Sequence, residues 1–172
     1  MKIRGYALEN LVDYISKTQD EETFRALRAK LPDEIVSGSW YPADSFFEVL
    51  EELERLSGEH RGTVSREVGR FKAQHAALGP YRLFFIFASP RFILKRAGVF
   101  WGFYHDWGRM KVREHYDRGV DFSVEHEGGI PELYLHTIAG WVEKSLEIAG
   151  AKCPKVDFTS TKEGADFRAR WD

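Results

Sequence analysis

The chain has 172 residues and a mass of 19.9 kDa, enough for one ordinary domain with its own core. Its 25 basic and 27 acidic residues leave a net charge of -2 and a pI near 6.3, so nothing in the overall charge favours nucleic-acid backbones or anionic membranes. Cys153 is the only cysteine, which excludes an intrachain disulfide and any cysteine-pair zinc site.

The N-terminus, Met1-Lys2-Ile3-Arg4-Gly5-Tyr6, lacks the pattern of a secretory leader and predicts a cytoplasmic address. Leu8, Leu11, Val12 and Ile15 recur at helical spacing and predict an amphipathic first helix. Thr18-Gln19-Asp20-Glu21 matches a capping box that would start a second helix, with Phe24, Leu27 and Leu31 facing inward until Pro32. Trp40-Tyr41-Pro42 is expected to open a third helix, its inward stripe being Phe46, Leu50, Leu53 and Leu56, ended by Gly58. Val64, Val68, Phe71, His75 and Leu78 predict the apolar stripe of a fourth, ended by Gly79-Pro80.

From Tyr81 to Trp107 ten of 27 residues are aromatic, so this segment is expected to lie largely inside the molecule. Ser89-Pro90 reads as a cap followed by proline in the first turn, with Ile93, Ala97, Phe100, Tyr104 and Trp107 at helical spacing and Gly108 as terminator. The period then falls to two. Met110, Val112, Glu114 and Tyr116 alternate, as do Val120, Phe122 and Val124, which predicts a hairpin turning at Asp117-Arg118-Gly119. A helix follows Pro131 and runs through Ile148, and two strands near 154–160 and 165–171 end the chain. The expected fold is α+β in one domain over 1–172: a helical N-terminal half, then strand-strand-helix-strand-strand forming a four-stranded antiparallel sheet. No run is long and apolar enough to predict a membrane span.

Several short motifs carry a resemblance. Gly140-Trp141-Val142-Glu143, Arg66-Glu67-Val68-Gly69-Arg70 and Ser89-Pro90 resemble the superfamily of haem nitric oxide/oxygen-binding domains, 4-vinyl reductase domains and small TRAPP tethering subunits. With Trp40-Tyr41-Pro42 added, the pattern is most similar to a group of uncharacterised paralogues best known from myxobacteria. The resemblance implies a bacterial sensory or scaffold domain. Haem-binding members use a histidine ligand and a Tyr-x-Ser-x-Arg pattern for the propionates; here Arg91 falls near the histidine position and Tyr-x-Ser-x-Arg is absent. The final hairpin also lacks the metal-binding cysteines of some sensory relatives. The resemblance therefore implies a haem-free, metal-free domain with no cofactor.

No residue set points to catalysis. Adjacent His105 and Asp106 would face different directions at a charged helix end, and no glycine-flanked serine or phosphate-binding glycine loop occurs. His136, Glu143 and Glu147 are expected to share a solvated or dimer-facing stripe with Gly140, and Cys153 to be an inert, partly buried thiol. His75 interrupts an apolar stripe and is expected to bond a nearby carbonyl or, alternatively, to contact a ligand or sense pH. The aromatic cluster is either a filled core or the wall of an apolar pocket, for which Trp40, Tyr41, Phe71, His75, Tyr81, Phe84, Phe92, Phe100 and Tyr104 are the candidates. The expected function is a non-enzymatic sensory or interaction domain binding a small apolar molecule, a lipid or a partner protein; the alternative is a ligand-independent tethering scaffold. A homodimer through the N-terminal helices, with Leu11 and Ile15 at the interface, is expected in either case.

Overall fold

A computed structural model describes residues 1–79, 82 and 89–172. The chain opens with β1 (Lys2–Arg4), which pairs antiparallel with β2 (Trp40–Pro42), Ile3 lying opposite Tyr41. This small sheet replaces the expected helix start at Trp40. Proline is tolerated at the end of so short an edge strand, and α3 (Asp44–Ser57) begins only after Ala43.

Helix α1 (Gly5–Thr18) follows β1 directly and buries Ala7, Leu8, Leu11 and Ile15 completely. Leu11 and Ile15 therefore belong to the core of this chain and are not available to a partner, contrary to the expected interface. Helix α2 (Glu21–Arg28) is capped two residues later than expected. The Asp20 carboxylate accepts from the backbone N–H groups of Glu22 and Thr23, while Thr18 stays in α1 and donates to the Tyr14 carbonyl. A carboxylate at the positive helix end is the stronger cap. In α3, Phe46, Val49, Leu50 and Leu53 are buried, but Leu56 is exposed two residues before Gly58 ends the helix in the left-handed conformation.

Helix α4 (Thr63–Leu78) buries a different face from the one its large apolar residues mark. Ser65, Val68, Gly69, Lys72, Ala73 and Ala76 point inward, whereas Phe71 and His75 are only half-buried and Leu78 is exposed. The reason is close helix packing. A Cβ on Gly69 would overlap the Thr137 carbonyl, and one on Gly140 would overlap the Arg66 carbonyl, so α4 and α7 (Glu132–Ile148) cross with backbones touching. Small residues win the interior face because larger ones do not fit. The N-terminus of α4 is capped from α3, where the buried Glu54 carboxylate accepts from Gly62 N–H at 3.1 Å and Ser65 N–H at 2.7 Å.

Ser89 caps α5 (Pro90–Lys95) through the Phe92 N–H, as expected from Ser89-Pro90. The expected single helix through Trp107 instead breaks at Arg96, and α6 (Ala97–Tyr104) ends where His105 turns extended and bridges to Ile3 of β1. Ile93, Ala97, Phe100, Tyr104 and Trp107 are buried, while Phe92, Val99 and Phe103 of the same segment are exposed.

The four-stranded antiparallel sheet has the order β3-β4-β6-β5, from β3 (Arg109–Tyr116), β4 (Gly119–Glu125), β5 (Lys155–Thr161) and β6 (Gly164–Arg170). One irregularity interrupts the β3 register between Val112 and Glu114. Val120, Phe122, Val124, Val156, Ala165, Phe167 and Ala169 build its buried face, with Phe122 stacked on Phe167 at 4.8 Å. The opposite face carries cross-strand charge pairs, Arg168 with Asp121 at 2.6 Å and Arg113 with Asp166 at 3.0 Å. No helix among the described residues is long and apolar enough to cross a membrane.

Candidate functional site

The α4–α7 crossing, α6 and the start of β3 line a cavity of about 40 Å³. Lys72 comes from α4; Ala97, Phe100, Trp101 and Tyr104 from α6, with His105 just beyond its end; Tyr134, Thr137, Ile138 and Trp141 from α7; Met110 from β3. The described wall is aromatic and aliphatic, with very few polar atoms facing the space.

Lys72 is the exception. It is 4 % exposed, and burial alone acts on its ammonium, with no carboxylate partner and no hydrogen-bond acceptor among the described residues. Its Nζ lies 4.7 Å from the ring centre of Phe46, 5.6 Å from Tyr134 and 5.9 Å from Tyr104. Cation–π attraction recovers about 2 kcal/mol at a desolvated site, less than the cost of taking an unpaired ammonium out of water. Burial accordingly pulls the Lys72 pKa down to about 7.

His105 stacks on Trp101 with ring centres 3.7 Å apart. Burial, reinforced by the Lys72 charge and opposed by the bond to Trp101, holds its pKa well below the ordinary value, so the ring is neutral. Neutrality decides the tautomer. Nδ1 lies 3.1 Å from the Trp101 carbonyl, which only accepts, so Nδ1 carries the proton and Nε2 accepts from the Tyr134 hydroxyl at 2.5 Å. Burial raises the Tyr134 pKa, keeping that hydroxyl protonated and able to donate. Trp101 in turn donates its indole N–H to the Trp107 carbonyl at 2.7 Å. Asp106 takes no part: it accepts from the Lys2 backbone N–H, so His105 and Asp106 do not form an acid/base pair.

Beside the cavity, Arg66 of α4 pairs with buried Glu143 of α7 and donates to the Val156 carbonyl of β5, while the Val156 N–H donates back to Glu143. Burial raises the Glu143 pKa, with Arg66, the Val156 N–H and Arg70 opposing. Arg70 reaches Glu147 at 2.8 Å. Glu143 is thus an interior clamp and not part of a solvated stripe. His136 packs edge-on against Phe158. Among the described residues no three His, Cys, Asp or Glu side chains are grouped to bind a metal ion.

Of the residues named from the sequence for a pocket, Phe100 and Tyr104 line the cavity. Tyr81 and Phe84 lie outside the described residues. Trp40 lies under the Arg4 guanidinium at 3.9 Å, and Tyr41 uses its hydroxyl to accept from Val36 N–H and hold the 34–36 loop. Phe71 stacks on His75, whose ring nitrogens meet the Phe71 carbonyl and the Asp13 carboxylate, so neither reaches the cavity. Phe92 is exposed, and so is Cys153, which was expected to be partly buried. Sequence pattern does not mark Lys72 as a lining residue, because a lysine in a helix normally marks its solvated side.

No protein-family model matches the chain, and no curated protein resembles it in sequence. Solved structures do match: an H-NOX protein from S. oneidensis in the Fe(II)NO state superposes with a TM-score of 0.80 over 98 % of this chain and 99 % of that one, at 11 % identity. The fold is that of the H-NOX proteins. The unliganded Fe(II) H-NOX protein from K. algicida gives a TM-score of 0.75 at 11 % identity, covering 98 % of this chain and 96 % of that one. An oxygen-binding H-NOX domain related to soluble guanylate cyclases gives 0.69 at 14 %, covering 98 % and 92 %.

Within this H-NOX fold the described residues do not fit a haem. All six histidines are described: His60 and His115 are exposed, His75 and His105 have both ring nitrogens engaged, and His126 and His136 pack on Trp107 and Phe158 away from the cavity. Arg91 is exposed and donates to the Tyr116 and Asp117 carbonyls at the β3–β4 turn. The described cavity wall offers one amine and no guanidinium for propionates, and the space suits a guest of a few atoms.

Proposed function

We propose that this chain is a non-enzymatic, haem-free sensory domain of H-NOX fold that binds a small, largely apolar ligand in the Lys72 cavity. The observation that carries this reading is an apolar cavity retained at the meeting point of α4, α6 and α7, with a lysine on its wall that has no counter-ion among the described residues. A core built only for stability has no use for either feature. The position of the cavity also suits a sensor. A guest touches three helices at once, and α7 is tied through Glu143 and Arg66 to Val156 in the sheet, so a ligand that prefers one α6–α7 packing shifts the balance between two states.

Native mass spectrometry of freshly purified protein tests the reading, together with its absorption spectrum. A bound small molecule, or a small apolar probe that raises the melting temperature, is the expected result. A Soret band with stoichiometric iron overturns it, and a chain that binds no probe at all leaves the tethering scaffold as the better account.

A further inference from the structure

The chemistry of the ligand can be taken further, on the reading that the cavity binds one. We infer that Lys72 is the attachment point for a small carbonyl compound, an aldehyde of about four non-hydrogen atoms, held in the cavity as a Schiff base.

Three observations carry this. The amine is almost fully buried, lines the cavity, and has neither an ion-pair nor a hydrogen-bond partner among the described residues. By contrast Lys17 pairs with Asp13, Lys30 with Glu48 and Lys111 with Glu125 at the surface. The titratable groups facing Lys72 are Tyr104, His105 and Tyr134, so no carboxylate on the described wall holds it as an ammonium. Burial, which lowers its pKa to about 7, leaves much of it as the nucleophilic free amine at neutral pH.

A carbonyl suits this wall better than a carboxylate does. A carboxylate would bring a second charge into an apolar space, where its remaining lone pairs need donors. Thr137 already donates to the Leu133 carbonyl, His105 to Trp101 and Tyr134 to His105. Condensation of a neutral aldehyde brings no net charge inside. The Lys72 nitrogen attacks the carbonyl carbon, and the C=O π electrons move to oxygen, which takes up one amine proton. The resulting carbinolamine loses its hydroxyl with the second amine proton as water, and C=N forms. No oxidant or reductant is consumed.

The test uses the full chain at pH 7.5 with propanal and cyanoborohydride, followed by peptide mapping. Lys72 is expected to be alkylated at least about tenfold faster than the surface lysines, because a far larger fraction of it is unprotonated. Lys72→Met, which keeps the buried aliphatic stem, should fold and lose that fast phase. Alkylation spread over surface lysines with Lys72 untouched overturns the inference, as does a fast phase that survives in Lys72→Met. Propanol and propionate serve as size-matched probes in thermal shift. Stabilisation by either one without a Lys72 adduct leaves a ligand-binding domain but removes the carbonyl chemistry, and no response to any of the three removes both.

Discussion

Lys72 and His105 line the same cavity, and the charge on one disfavours the charge on the other. Neither has a counter-ion among the described residues, so the folded state favours losing both protons. Stability should therefore depend on pH in a definite direction.

For Lys72 the folded pKa of about 7 lies below the ordinary 10.5 of the unfolded chain. Between those values the unfolded state binds more protons, so stability rises with pH from about 7 to about 10.5 and is flat for this group below that window. His105 adds a second loss: its folded pKa is depressed, so acidification below its ordinary 6.5 protonates the unfolded chain first and stability falls again. Urea unfolding at a series of pH values checks both, and a stability that falls between pH 7.5 and 9.5 would contradict the Lys72 assignment.

Lys72→Met should stabilise the protein by about 2 kcal/mol or more at neutral pH, since each unit of depressed pKa corresponds to about 1.4 kcal/mol. The rise in stability above pH 7 should disappear in the same variant. Differential denaturation of the two proteins measures both effects.

Gly140→Ala should destabilise by about 3 kcal/mol or more, because the new methyl overlaps backbone of α4 and two helices must part to admit it. Gly38→Ala, with open space around its Cβ position, is the matched control and should fall within about 0.5 kcal/mol. Thermal melts of the pair decide the matter.

Leu11→Glu or Ile15→Glu should unfold the chain, since both side chains are wholly inside and an unpaired buried carboxylate costs several kcal/mol. Loss of the cooperative transition by circular dichroism is the expected result. A folded monomer from either variant would restore the N-terminal interface.

Tyr134→Phe removes the donor to His105 Nε2 and leaves a buried acceptor unpaired, a loss of about 1–3 kcal/mol. Nitrogen-15 chemical shifts of the His105 ring should move on this substitution, whereas those of His75 should not.

Local pattern alone determined most of the order of elements here. Ser89-Pro90, the Asp117-Arg118-Gly119 turn and the alternation of Val120, Phe122 and Val124 each encode a conformation through near neighbours, so cap, hairpin and four-stranded sheet were legible. The small β1–β2 sheet was not, because its two strands are three residues each and meet only when the chain folds back. The Gly140-Trp141-Val142-Glu143 and Arg66 to Arg70 motifs pointed to the right fold, yet only the structure shows why they occur together: Gly69 and Gly140 set the helix crossing, and Arg66 meets Glu143 across it.

The site depended on tertiary structure almost entirely. Periodicity assigned the inner face of α4 to its largest apolar side chains, but the interhelical distance at Gly69 and Gly140 admits only small residues, which turns Phe71 outward and Lys72 inward. Helical period states which residues share a face; how closely the next helix approaches decides which face is buried. Lys72, His105 and Tyr134 stand far apart in sequence, and their chemistry exists only because that crossing removes water from all of them together.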